Sequence, residues 1–129
     1  MLRRVTVCLL LLLPLHVAAD NKVDLEITMK NMGLALKQAR QAESPQAAKP
    51  YIAQLITLTA QATTAPFPED KAPIYLEGLQ KVQLTLQKAK LAAAAGDNDK
   101  LQQTLKEVEQ LRKHYHKQRK VSFWQLLFG

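Results

Sequence analysis

Four apolar stripes, each repeating at steps of three and four residues, constrain this chain more than any other feature. Leu25, Met29, Met32, Leu36 and Ala39 form the first, and Ile52, Leu55, Ile56, Thr59 and Ala62 the second. Tyr75, Leu79, Val82, Leu86, Ala89 and Ala93 form the third; Leu101, Leu105, Val108, Arg112 and Tyr115 form the fourth. That period places each set on one face of a helix, with polar residues filling the remaining faces. Helix breakers fall between the stripes. Ser44-Pro45 reads as a cap followed by proline at a first helical position. Pro66-Phe67-Pro68 reads as a loop, Gly96 as the end of the third helix, and Asp97 to Asp99 as the cap of the fourth. Pro50 predicts that the second helix either starts near it or kinks there. Strand-like alternation is absent from the sequence, and Ala, Leu, Gln and Lys, which lose little freedom in helices, dominate it. A chain of 129 residues supports one modest core. Four helices with short connections predict an all-α fold, an antiparallel up-down-up-down four-helix bundle.

The chain divides into three segments: 1–19, 20–120 and 121–129. Arg3 and Arg4 precede the apolar run Val5 to Leu13, and Val17-Ala18-Ala19 offers the small residues that a signal peptidase reads. This pattern predicts an export signal cleaved before Asp20. A retained anchor is the competing reading, although the run is short of the ~20 apolar residues a spanning helix needs. The single cysteine, Cys8, lies within the apolar run and not at its end, which argues against a lipoprotein. Cleavage removes Arg3 and Arg4 and no acid, so the formal charge falls from +7 to +5. That surplus suits acidic partners and is too small to indicate nucleic acid.

The bundle topology brings the start of the first helix and the end of the fourth to the same end of the molecule. Met29 and His116, nearly ninety positions apart, thus come to one level. The expected mature chain holds two histidines and two methionines: His114, His116, Met29 and Met32. Residues two apart on a helix differ by ~200°, so His114 and His116 take different faces. His116 continues the apolar stripe towards the core, and His114 turns to solvent. A thioether and an imidazole facing each other across a core match the Met/His axial ligation of haem iron. The same residues are also compatible with plain packing and a surface histidine.

Local sequence adds a resemblance. Asp24-Leu25-Glu26-Ile27-Thr28-Met29 resembles the opening of the soluble cytochrome b562 family, where Asp-Leu-Glu-x-x-Met supplies a methionine ligand. Arg112-Lys113-His114-Tyr115-His116 resembles that family's closing Arg-x-x-Tyr-His, which supplies the histidine. Tyr75-x-x-Gly78-Leu79 falls where the family carries aromatic-x-x-Gly-aromatic, and Gly96 falls at its third helix terminus. The resemblance spans Val23 to Lys120, and the family is itself a standard example of the up-down bundle. It implies a periplasmic electron carrier, not an enzyme, with one haem b held by Met29 and His116 and flanked by Arg112, Tyr115, Tyr75 and Leu79. Three departures stand out. The loop Phe67 to Lys71 is shorter than the family's, predicting a more open pocket edge. Leu79 replaces an aromatic ring, and the tail Val121 to Gly129 has no counterpart.

Covalent haem attachment needs Cys-x-x-Cys-His, and the two cysteine places before His116 hold Arg112 and Tyr115. The haem is therefore expected to bind non-covalently. Two protein axial ligands leave the iron no open site, which favours electron transfer over oxygen binding or peroxidase chemistry. The sequence carries no paired acids with a histidine, no glycine-rich phosphate loop and no serine nucleophile motif. Arg112, Arg119 and Lys120 read either as a solvated face or as partners for haem propionates and an acidic redox protein. The tail places six apolar residues among the eight from Val121 to Phe128, including Trp124. It reads as a continuation of the fourth helix packed on the body, as a peripheral membrane contact, or as a docking segment for a membrane redox partner. A non-haem periplasmic bundle acting as an adaptor or partner-binding protein remains the alternative on the same fold.

Overall fold

The computed structural model describes the backbone of residues 23–128 and the side chains of residues 23–117. The expected export signal lies outside the described residues, as do the side chains of the tail. Four helices follow in order: α1 Leu25–Gln41, α2 Pro45–Ala62, α3 Ala72–Ala94 and α4 Asn98–Phe128. No helix among the described residues is long and apolar enough to cross a membrane.

Each boundary has a local cause. The Asp24 carboxylate accepts from the Ile27 amide at 3.1 Å and opens α1, and the Ser44 hydroxyl accepts from the Ala47 amide at 3.1 Å and opens α2. The Asp97 carboxylate does the same for Lys100 at the head of α4. Gly96 adopts φ 69°, and the amides of Gly96 and Asp97 donate to the carbonyls of Ala93 and Ala92, closing α3. Only a residue that tolerates positive φ can make this stop. Pro50 does not open the second helix. α2 begins at Pro45, and Pro50 sits inside it. The carbonyl deprived of its helical partner is that of Gln46, an exposed residue, so water can satisfy it.

The core fills the end of the bundle where α1 and α3 finish and α2 and α4 begin. Ala39, Ile52, Leu86, Ala89, Leu101 and Leu105 are almost completely buried there. Small residues at Ala35, Ala39, Ala48, Ala89 and Ala93 let the helices approach closely. The buried threonines cost little, because each hydroxyl donates to the carbonyl four residues back: Thr59 to Leu55 at 2.6 Å, Thr104 to Lys100 at 2.6 Å and Thr85 to Lys81 at 2.9 Å. Among the described residues no buried side-chain nitrogen or oxygen lacks a hydrogen-bond partner. Helices α1 and α2, α2 and α3, and α3 and α4 pack extensively, whereas α1 and α4 barely meet. That sparse seam positions the site.

Candidate functional site

The stripes that fill the core at one end line a cavity at the other. On α1, Leu36 and Ala39 are buried, but Leu25, Met29 and Met32, further back on the same stripe, are only partly buried and face an internal space. On α4 the change comes after Val108: Leu111, Arg112, Tyr115 and His116 line the same space. Tyr75, Gly78, Leu79 and Val82 supply the α3 wall, and Leu55 reaches it from α2. The cavity measures about 610 Å³, within the usual range for a small-molecule or cofactor site.

All six residues singled out in the sequence, Met29, His116, Arg112, Tyr115, Tyr75 and Leu79, line this one cavity. His116 needs one correction. It belongs to the wall yet is exposed, so it sits at the rim and not within a packed core. α4 packs mainly on α3 and little on α1, so α1 gives His116 little cover. His114 is exposed and outside the wall, and its ring meets Tyr115 edge-on at 5.1 Å. Met32 also reaches the cavity, one turn along α1 from Met29.

The rim is polar and mainly basic. Arg112 grips Glu109 through two hydrogen bonds, Nη2 to Oε1 at 2.8 Å and Nε to Oε2 at 3.1 Å. This hydrogen bond holds the Glu109 carboxyl below its ordinary value and raises the Arg112 guanidinium further above its own. It also orients Arg112 at the cavity edge. Lys30, also on the wall, pairs with Glu26 at 3.3 Å, both well exposed.

Two aromatic arrangements shape the walls. Phe67, held between Pro66 and Pro68, stacks on Tyr75 with ring centroids 5.3 Å apart and 29° between planes, and both line the cavity. The short loop that predicted an open edge thus contributes a ring to the site. Phe67 was not among the residues picked from sequence; an aromatic pinned between two prolines at the right end of the bundle was the available signal. Tyr115 lies flat against Gly78. A Cβ at position 78 would fall 2.7–2.9 Å from Cγ and both Cδ atoms of the ring. One turn on, Lys81 is held above its ordinary value by the Glu77 carboxylate, 3.0 Å away, and next by the Tyr115 hydroxyl.

The donor set suits one class of occupant. A thioether on α1 and an imidazole on α4, with apolar and aromatic walls between and cations at the rim, fit a planar apolar cofactor that carries a metal and acidic substituents. No group of three or more His, Cys, Asp or Glu able to hold a bare metal ion occurs among the described residues. Fold and site together define a four-helix bundle with an apolar cavity of cofactor size at one end.

Residues 24–120 match the family model of cytochrome b562, and the chain belongs to that family. A search of curated proteins found no match. Membership implies a haem-binding electron carrier. The fold expected from the stripes, a bundle of four helices without strands among the described residues, is the one observed.

Proposed function

We propose that this protein is a periplasmic electron carrier that holds one haem b non-covalently, with Met29 and His116 as its axial ligands. The observation that carries this reading is that Met29 and His116, from opposite ends of the sequence, share the wall of a single apolar cavity. When bound, haem supplies a one-electron couple. Every other feature of the activity falls to this chain's own residues. Met29 offers a neutral thioether, a ligand type that favours a raised reduction potential. His116 offers the imidazole from the rim. Held by both residues, the group would have no place left for oxygen or peroxide, which suits electron transfer. Leu79, Val82 and Val108 exclude water from the faces of the cavity, and Tyr75 with Phe67 walls one edge. Arg112, fixed by Glu109, and Lys30 place positive charge where the acidic edge of the cofactor would emerge. The same charges, with Lys113 and Lys117 on exposed turns of α4, suit an acidic redox partner.

The test is a haem titration of the mature protein. One equivalent should give a low-spin spectrum with sharp visible bands on reduction, and acidic organic solvent should extract all the haem. Saturation without low-spin character would remove the two-ligand assignment. No binding at all would return the chain to the adaptor role that the same fold permits.

A further inference from the structure

Met29 sits on α1 and His116 on α4, yet these two helices barely touch. The span between them is therefore set elsewhere. α4 packs mainly on α3, and at the cavity end the two helices meet closely where Gly78 takes the ring of Tyr115, the residue immediately before His116. The three ring atoms that crowd position 78 are Cγ and the two Cδ atoms, the part of the ring nearest the α4 backbone. They cannot swing aside as the tip of a long side chain can. A methyl group here would need several tenths of an ångström of extra room, and only a shift of α4 provides it. On α3, one turn on from Gly78, Lys81 pairs with Glu77 at 3.0 Å.

We propose that Gly78 is a positioning residue for the cofactor: by admitting the Tyr115 ring flat against α3, it seats α4 and fixes how far His116 stands from Met29. A helix that carries neither ligand, α3, sets the separation of the two. This inference rests on haem ligation by Met29 and His116. The argument has a definite sign, because alanine is a far better helix former than glycine. Gly78→Ala should strengthen α3 as a helix while spoiling the site. Propensity and positioning thus pull in opposite directions.

The experiment is a double-mutant cycle on the haem-loaded protein, comparing the parent, Gly78→Ala, Tyr115→Ala and Gly78→Ala/Tyr115→Ala. Gly78→Ala should lower haem affinity by about tenfold or more, the usual cost of losing support behind a metal ligand, and convert part of the low-spin haem to high-spin. Tyr115→Ala, which unseats α4 by removing the ring, should show a similar mixed-spin spectrum, and Tyr115→Phe, which keeps the ring, should restore the parent's. Adding Gly78→Ala to Tyr115→Ala should change nothing further, since no ring remains to collide with. In the apo parent, the Gly78 α-protons should be shifted upfield in the NMR spectrum by the ring stacked over them, and the shift should vanish in Tyr115→Ala. Should Gly78→Ala not fold, the Tyr115 variants and the apo NMR carry the test alone. A low-spin spectrum unchanged in Gly78→Ala or in Tyr115→Ala overturns the proposal and leaves the ligand assignment standing. So does a Gly78→Ala defect of equal size with and without the Tyr115 ring. A parent that binds no haem overturns the ligand assignment, and the positioning role falls with it.

Discussion

The two ends of this bundle are built from the same four stripes and behave differently. At one end Ala39, Ile52, Leu86, Ala89, Leu101 and Leu105 pack without solvent access, with alanines allowing close approach. At the other, the continuation of those stripes through Met29, Leu79, Val108 and Tyr115 surrounds a space of about 610 Å³. One end spends its apolar surface on stability and the other reserves it for an occupant. The change coincides with side-chain type: leucine, isoleucine and alanine fill the closed end, and ring-bearing and ligand-bearing residues appear at the open end.

The contrast predicts a separation of effects. Leu86→Ala and Leu105→Ala, at the closed end, should each cost about 2–5 kcal/mol of apo stability, read from urea unfolding. Haem spectra of whatever folds should match the parent. Equal losses from truncating partly buried Met29 would erase the distinction between the ends.

Next in size is the tail. The α4 backbone runs about 18 Å past His116 at the usual rise per residue. We expect deletion from Val121 to leave haem binding intact while reducing retention on anionic vesicles, because a basic turn followed by Trp124 and Phe128 suits a lipid interface. Unchanged partitioning, or a collapse of haem affinity, would return the tail to packing on the body.

Smallest is the rim pair of Arg112 and Glu109. Arg112 depresses the Glu109 carboxyl in the folded state, so the pair's contribution is fully present above the unfolded value near 4.5 and is lost as pH falls through the lowered folded one. Its worth should stay below about 1 kcal/mol, since Arg112 is substantially exposed. Glu109→Gln should therefore destabilise slightly at neutral pH, and the gap to the parent should close in acid. A gap that widens on acidification would show that the sign is wrong.

How much of this was legible beforehand follows from what periodicity reports. The stripes identify which face of each helix turns inward, and capping residues at Asp24, Ser44 and Asp97 mark where helices start. Neither says whether the inward space is filled. Met29 and Ala39 lie on one stripe, yet one lines the cavity and the other is core. Whether α2 continues through Pro50 depends on the exposure of Gln46, whose carbonyl loses its amide partner, and exposure is a tertiary property. Phe67 escaped notice because loop residues carry no period. The Gly78–Tyr115 contact is between helices, and a single sequence states faces without stating which residue meets which. Ile27, Leu34, Leu84 and Leu91 are exposed apolar residues off the stripes, a reminder that inward and apolar are not synonyms.

The most direct test of the central claim, that Met29 and His116 ligate one haem at the open end, is the spectrum of the single variants Met29→Ala and His116→Ala, with Met32→Leu beside them. Both ligand variants should keep parental helical circular dichroism and lose the low-spin spectrum, His116→Ala with the greater loss of haem. Met32→Leu should be spectrally silent. Low-spin spectra identical to the parent in both ligand variants would contradict the account, and a change confined to Met32→Leu would move the thioether ligand one turn along α1.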